Sequence, residues 1–256
     1  MKVVVCVKHV PDGQGERRLE DGRIVRGEDD TLNELDEYAI EAAVSLVEEQ
    51  GGEVIALTMG PADADEAILR ALQMGADRGL HITDEQLAGL DAPGTAGVLA
   101  AAVRSLGDVD LVVAGMASLD GMTSLVPPAL ATYLGLPYLG LASQLELGNG
   151  QLEARRVVDG WEETLRAPLP AVVSVTDQVN EPRYPSFKAL KAARAKPLDE
   201  VGWDDLAHFA PAGVRLASHS EVLEARPQER TGPHEIVEDT GDGGIRLAQF
   251  LRTHLN

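Results

Sequence analysis

The chain has 256 residues, enough to bury the core of one large α/β domain or of a domain with an appendage. Its net charge of −20 sets it against general binding to phosphate backbones, and no apolar run approaches the ~20 residues that span a bilayer. A single cysteine, Cys6, excludes an internal disulfide and a thiolate zinc site and fits a reducing cytoplasm; no signal peptide is expected, because strand pattern starts at the second residue.

Lys2–Val7 (KVVVCV) is a continuous β-branched run and predicts a central buried strand. The loop Pro11–Asp30 is polar, and Asp21-Gly22 between two short alternating runs predicts a β-hairpin over Arg18–Arg26. Asn33 stands as a helix N-cap, with Glu34, Asp36 and Glu37 in the first turn, where the helix dipole favours acids. Leu35, Ala39, Ala42, Ala43, Leu46 and Val47 then form one apolar stripe, ended by Gly51-Gly52. Glu53–Thr58 predicts the second strand. Met59-Gly60-Pro61 turns into a helix with Ile68, Leu69 and Leu72 inside and Gly75 at its end. Arg78–Ile82 reads as a third strand and Thr95–Leu106 as a helix buried on much of its surface.

The stretch Val109–Pro137 predicts a fourth strand (Val109–Ala114), a loop of small residues (Gly115–Met122) and a helix capped by Thr123. Leu125, Leu130, Tyr133 and Leu134 follow at helical spacing, Gly135 closes the helix and Pro137 prevents its return. Tyr138–Leu141 predicts a fifth strand. The alternation implies α/β architecture: a Rossmann-like parallel sheet with helices on both faces. Gln144–Leu147, Gln151–Val158 and Glu162–Ala167 alternate between turn residues and predict antiparallel strands extending one sheet edge. Ala171–Thr176 is another buried strand. Between Asn180 and Lys196 the bases Arg183, Lys188, Lys191, Arg194 and Lys196 face one acid, Glu181; such a run is a solvated face or a docking patch for an acidic partner. Beyond Pro197 the periodicity weakens. Residues 1–197 therefore read as a nucleotide-binding domain and 198–256 as an extended C-terminal arm, with a terminal helix over Ile245–Leu255.

In a parallel sheet, Cys6–His9, Thr58–Gly60 and Gly115–Thr123 meet at one edge, the usual ligand crevice of open α/β folds. Gly60, Gly115, Ala117, Ser118 and Gly121 let a ligand approach the backbone. No G-x-G-x-x-G follows the first strand, and no G-x-x-x-x-G-K-[ST] occurs. The ligand read from this edge is a small adenine nucleotide held mainly by backbone groups at a helix N-terminus. An ordinary strand-to-helix turn carries the same signal. No metal site is expected.

The segments KVVVCVKHVPD, NELDEYAIEAAV, VIALTMGP, ALQMGADRGLHI, DLVVAGMASLDGMTSLVPPALATYLGLP and LPAVVSVTDQVNEPRYPSFKALKAARAKP occur in this order. Together they resemble the β subunit of electron-transfer flavoprotein, the FixA-like small subunit of bacteria, over about residues 1–200. NEPRYPS is the most specific piece. The resemblance implies a heterodimer with an α subunit that holds most of the FAD, and a structural AMP in the β subunit. It implies that the complex shuttles electrons from acyl-CoA dehydrogenases and similar flavoenzymes to a membrane quinone oxidoreductase, and that the β subunit alone is no enzyme. Carried over by motif, AMP contacts fall on Cys6, Asn33, Asp36, Met59, Gly115, Asp120, Thr123, Ser124, Leu125 and Val126. Phe187 stands where the family's recognition loop commonly has leucine, flanked by Lys188, Lys191, Arg194 and Lys196 for partner steering. Gly13 and Leu35 stand where some relatives place an aromatic near the flavin. The arm would pack on the α subunit. Two rivals keep the fold: a bifurcating-type subunit with a second FAD in place of AMP, and a stand-alone adenine-nucleotide-binding regulator. An adenylating enzyme would need an S-G-G-x-D loop, which this sequence lacks.

Overall fold

The computed structural model describes residues 1–13, 15, 18–20, 23–27, 29–226, 236 and 238–254. Its centre is a seven-stranded parallel sheet. In spatial order the strands are Leu198–Val201, Arg78–Ile82, Glu53–Met59, Lys2–Cys6, Leu111–Gly115, Ala171–Val175 and Tyr138–Ala142. The β-branched run at the N-terminus takes the middle place, with Val4 opposite Ile55 on one side and Val112 on the other. Successive strand residues point to opposite faces, so Val3 and Val5 enter one core cluster and Val4 the other.

Helices cover both faces. Glu34–Gln50 and Asp65–Met74 bury Ile40, Ala43, Ile68 and Ala71 against the first cluster. Ala92–Ser105 and Val126–Leu134 bury Val98, Leu99 and Leu130 against the second. The Rossmann-like α/β architecture is thus present. Gly79 has a steric reason to be glycine: a Cβ there would run into Ile68 and Leu198.

Several local expectations are corrected. The antiparallel strands Gln144–Gly148, Gln151–Val158 and Trp161–Pro168 form a separate three-stranded sheet rather than continuing the edge of the main one. A register shift opposite Val173–Val175, with Leu141 at φ 61°, re-aims the chain after the edge strand. Leu152, Ala154 and Ala167 then join the first core cluster. The helix expected to start at Thr123 begins at Val126, because Pro127 and Pro128, which lack N–H groups, fit only its first turn. Gly135 ends it in the left-handed conformation, as expected. The helix expected from Thr95 starts at Ala92, capped by the Asp91 carboxylate, which accepts from the Gly94 N–H. In the 18–26 hairpin, Leu19–Glu20 pairs with Arg23–Ile24; its turn, Asp21-Gly22, lies outside the described residues. A short ladder between His9–Pro11 and Asp30–Leu32 had no sequence signal.

The boundary at residue 197 moves. Leu198–Val201 is an edge strand of the main sheet, paired with Arg78–Ile82, and the compact body runs from Met1 to Leu223. The strand reads Leu-Asp-Glu-Val, with charges on an exposed edge, which hides it from a search for apolar runs. The second unit, Glu224–Asn256, holds a helix over Gly243–His254, with Leu247, Phe250 and Leu251 exposed on it; Leu255 lies outside the described residues. No described helix is long and apolar enough to cross a membrane.

Candidate functional site

Cys6, Met59 and Gly115 end neighbouring strands and share the carboxyl rim of the sheet. Gly115 must be small. A Cβ there would stand 2.5 Å from Asp36 Oδ1 and 2.8 Å from the Leu35 carbonyl oxygen. The backbone N–H of Lys8 donates to Asp36 Oδ2 at 2.8 Å. Burial pushes the Asp36 carboxyl up to about 7, and burial followed by the Asp36 charge pushes the Cys6 thiol up to about 12.

Asn33 does something other than capping. It occupies the N-cap position of Glu34–Gln50, yet its side chain makes no cap bond. Its Nδ2 donates to the Ala117 carbonyl at 2.9 Å, and its Oδ1 accepts from the Leu119 N–H at 3.0 Å. Asn33 is 0 % exposed, so these bonds fasten the loop from inside.

Asp120 is the loop's electrostatic anchor. The Lys8 ammonium donates to both its carboxylate oxygens, at 2.9 and 2.8 Å, and Arg26 donates to Oδ2 at 2.7 Å. Burial opposes ionisation of Asp120, but Lys8, Ser118 and Arg26 outweigh it and hold the pKa at about 2. Two cations against one anion leave the cluster one charge positive. Lys8 and Arg26 were absent from the sequence-derived site. Lys8 had a usable signal, since it directly follows a strand that ends at the rim; Arg26, placed in a polar loop, had none.

Beyond Asp120 the backbone turns sharply. The Ser118 carbonyl accepts from the N–H groups of Gly121 and Met122, at 3.2 and 2.8 Å. Met122 and Ser124 take φ of 48° and 52°, and Leu125 returns to −92°. Opposite signs of φ at successive residues make neighbouring N–H groups converge, the geometry of an anion-binding nest. Among the described residues, the N–H groups of Thr123, Ser124, Leu125 and Val126 find no acceptor. All four lie at the start of the Val126–Leu134 helix, where the dipole favours negative charge.

Leu35 borders a cleft of about 730 Å³ that is walled by Glu34, Glu37, Glu66, Tyr38 and Arg70. Gly13 is exposed and lies beside Leu119.

The basic stretch divides into two sets. Arg183 donates to Glu41 and Glu48 at 2.7 to 3.1 Å, which ties it to the Glu34–Gln50 helix. Lys196, expected among the partner-facing bases, points inward: its ammonium donates to the carbonyls of Leu72 and Ala76, at 2.9 and 2.5 Å. It closes the end of the Asp65–Met74 helix, where carbonyls have no partner in their own helix. Lys188, Lys191 and Arg194 are exposed on or beside the two-turn helix Phe187–Ala193, capped by Ser186. Phe187 is 85 % and Tyr184 94 % exposed. Aromatic rings that open to water cost hydration free energy unless a partner covers them.

Residues 21–206 match the family model of the electron transfer flavoprotein domain. The chain is 39% identical to the electron transfer flavoprotein subunit beta of Mycobacterium leprae (strain TN), over 97% of each chain. It is 34% identical to the protein of the same name from Bacillus subtilis (strain 168), over 80% of each. It is 35% identical to Protein FixA of Azorhizobium caulinodans, over 77% of this chain and 73% of that one. With this rim, this loop and these relatives, the chain belongs to the electron transfer flavoprotein β-subunit family, a family of electron carriers rather than enzymes.

Proposed function

We propose that this chain holds AMP at its sheet rim as a structural ligand. With an FAD-carrying α subunit it passes electrons from acyl-CoA dehydrogenases and related flavoenzymes to a membrane quinone oxidoreductase, in the bacterial cytoplasm. The observation that carries the AMP reading is the run of four unpartnered N–H groups, Thr123 to Val126, beside a loop cluster with one excess positive charge. A phosphate accepts from those N–H groups and from the Thr123 and Ser124 hydroxyls. The strand ends at Cys6 and Met59 bracket the adenine. Asn33 and Asp36 act one step back, by fixing the loop and the Lys8 backbone. FAD lies mainly in the α subunit, with Gly13 and Leu35 as this chain's nearest contributions. Phe187 is the aromatic anchor for a dehydrogenase pocket, and Lys188, Lys191 and Arg194 steer the encounter. The 224–256 unit lies along the α subunit.

The test is a count of nucleotides. The complex of this chain with its α partner, once denatured, should release one FAD and one AMP. Two FAD and no AMP would move the reading to the bifurcating type, and no adenine nucleotide beyond one FAD would overturn it. The double variant Thr123→Val, Ser124→Ala removes two hydroxyl donors to a charged group, about 1.5–3 kcal/mol each at most. AMP retention should fall by tenfold or more; full retention would show that the hydroxyls do not touch the phosphate.

A further inference from the structure

We propose that His9, Asp30 and Asp63 form a binding site for one divalent transition-metal ion of the zinc class. The three residues come from separate segments: the His9–Pro11 strand, its antiparallel partner Asp30–Leu32, and the one-turn helix Ala62–Ala64. One ligand atom from each lies within 4.8 Å of the other two. His9 is 6 % exposed, and its Nε2 is buried without a hydrogen-bond partner among the described residues. Asp30 Oδ1 accepts from the Gly27 N–H at 3.1 Å, but its Oδ2 is also buried without a partner. Two buried polar atoms of this cluster are thus left without a partner among the described residues, where buried polar groups are ordinarily satisfied. Arg26, whose side chain reaches the His9 backbone, is committed elsewhere. Arg26 donates from one nitrogen to the His9 carbonyl and from another to Asp120.

The donor set identifies the class of ion. A neutral imidazole nitrogen with two carboxylates suits zinc and its first-row neighbours, whereas magnesium and calcium favour oxygen alone. Two carboxylates balance the charge of a divalent ion. Bonds of about 2.0–2.2 Å in a tetrahedron place donors about 3.4 Å apart, so the set must draw in by at most about 1.4 Å. Asp63 is exposed and can make that adjustment by rotation; water takes the fourth position. The bound ion would fasten the Ala62–Ala64 turn to the His9–Pro11 ladder. No spacing rule reveals such a site, because its ligands stand 21 and 33 positions apart along the sequence.

The complex with the α subunit, stripped with chelator, is titrated with Zn²⁺ by calorimetry and with Co²⁺ by visible absorption. The expected result is one ion bound at this site, with affinity reduced at least tenfold by Asp63→Asn and abolished by His9→Gln. Zn²⁺ should also raise the melting temperature of the native complex and not that of Asp63→Asn. Asp63 is exposed, so its variant keeps the fold and the comparison stands whatever His9→Gln does to stability. A native complex that takes up no Zn²⁺, or variants that bind it as tightly as the native complex, would overturn the site.

Discussion

Asn33→Ala tests whether the nucleotide loop is held in shape from the helix side. The substitution removes a bond to the Ala117 carbonyl and a bond from the Leu119 N–H. Ala117 is 7 % exposed, so its carbonyl is stranded away from water at a cost of about 1–3 kcal/mol. Leu119 is half-buried and its N–H is partly rehydrated, for a loss of about 0.5–1.5 kcal/mol. The two together give about 1.5–4.5 kcal/mol. With a urea slope of about 2 kcal/mol per molar, the unfolding midpoint should fall by about 1–2 M with the slope unchanged. AMP released from the complex should fall alongside, because the Thr123–Val126 groups depend on the path of the loop before them. A midpoint within about 0.3 M of the native one, with AMP fully retained, would show that the loop holds itself and would refute the reasoning.

Phe187→Ala should leave stability within about 0.5 kcal/mol, since the ring is open to water, yet slow electron transfer from a dehydrogenase by tenfold or more; an unchanged rate at subsaturating dehydrogenase would remove the anchor assignment. Lys196→Ala should behave oppositely to Lys191→Ala: the first lowers the melting temperature by freeing two helix-end carbonyls, the second weakens only the dehydrogenase encounter in low salt. A loss of encounter rate in Lys196→Ala at native stability would refute this division. Asp36 sets a pH slope. Its pKa rises from 3.8 when unfolded to about 7 when folded, so the folded state binds the proton more tightly. The stability from this group is full below about pH 4 and declines as pH rises to about 7. Urea midpoints from pH 5 to 8 should fall more steeply for the native chain than for Asp36→Asn, and parallel curves would count against the buried carboxyl.

The layered core was legible because most inner strands are short apolar runs rich in β-branched residues, such as Lys2–Cys6 and Ala171–Val175, buried on both faces. Leu198–Val201 was not, because an edge strand needs hydrogen bonds along one side only and tolerates Asp199 and Glu200. Asn33 shows a different limit. An N-cap and a buried staple present the same residue at the same helix position, and only the approach of Ala117 and Leu119 separates them. Lys196 was miscounted for a related reason: a run of bases reports charge, while the direction of each side chain depends on which carbonyls lie beneath it. The metal ligands share that difficulty, since one histidine and two ordinary acids on separate segments form no pattern along the chain.

A chain of net charge −20 is at first sight a poor host for a phosphate. The rim resolves this locally. At physiological ionic strength the Debye length is about 8 Å, so acids on the far faces of the body are screened from the loop. The charges paired at the loop are Lys8, Arg26 and Asp120, and Asp120 is already neutralised by the other two. What remains toward an incoming anion is one positive charge and four N–H dipoles at a helix start. Asp36 lies nearby, but with its pKa at about 7 it is only partly ionised near neutrality and so repels less than an exposed carboxylate would. The same reasoning applies at the Phe187 helix, where Lys188, Lys191 and Arg194 present a basic face on an acidic body. Distribution over a few ångströms, rather than the sum over the chain, decides what each face of this protein can hold.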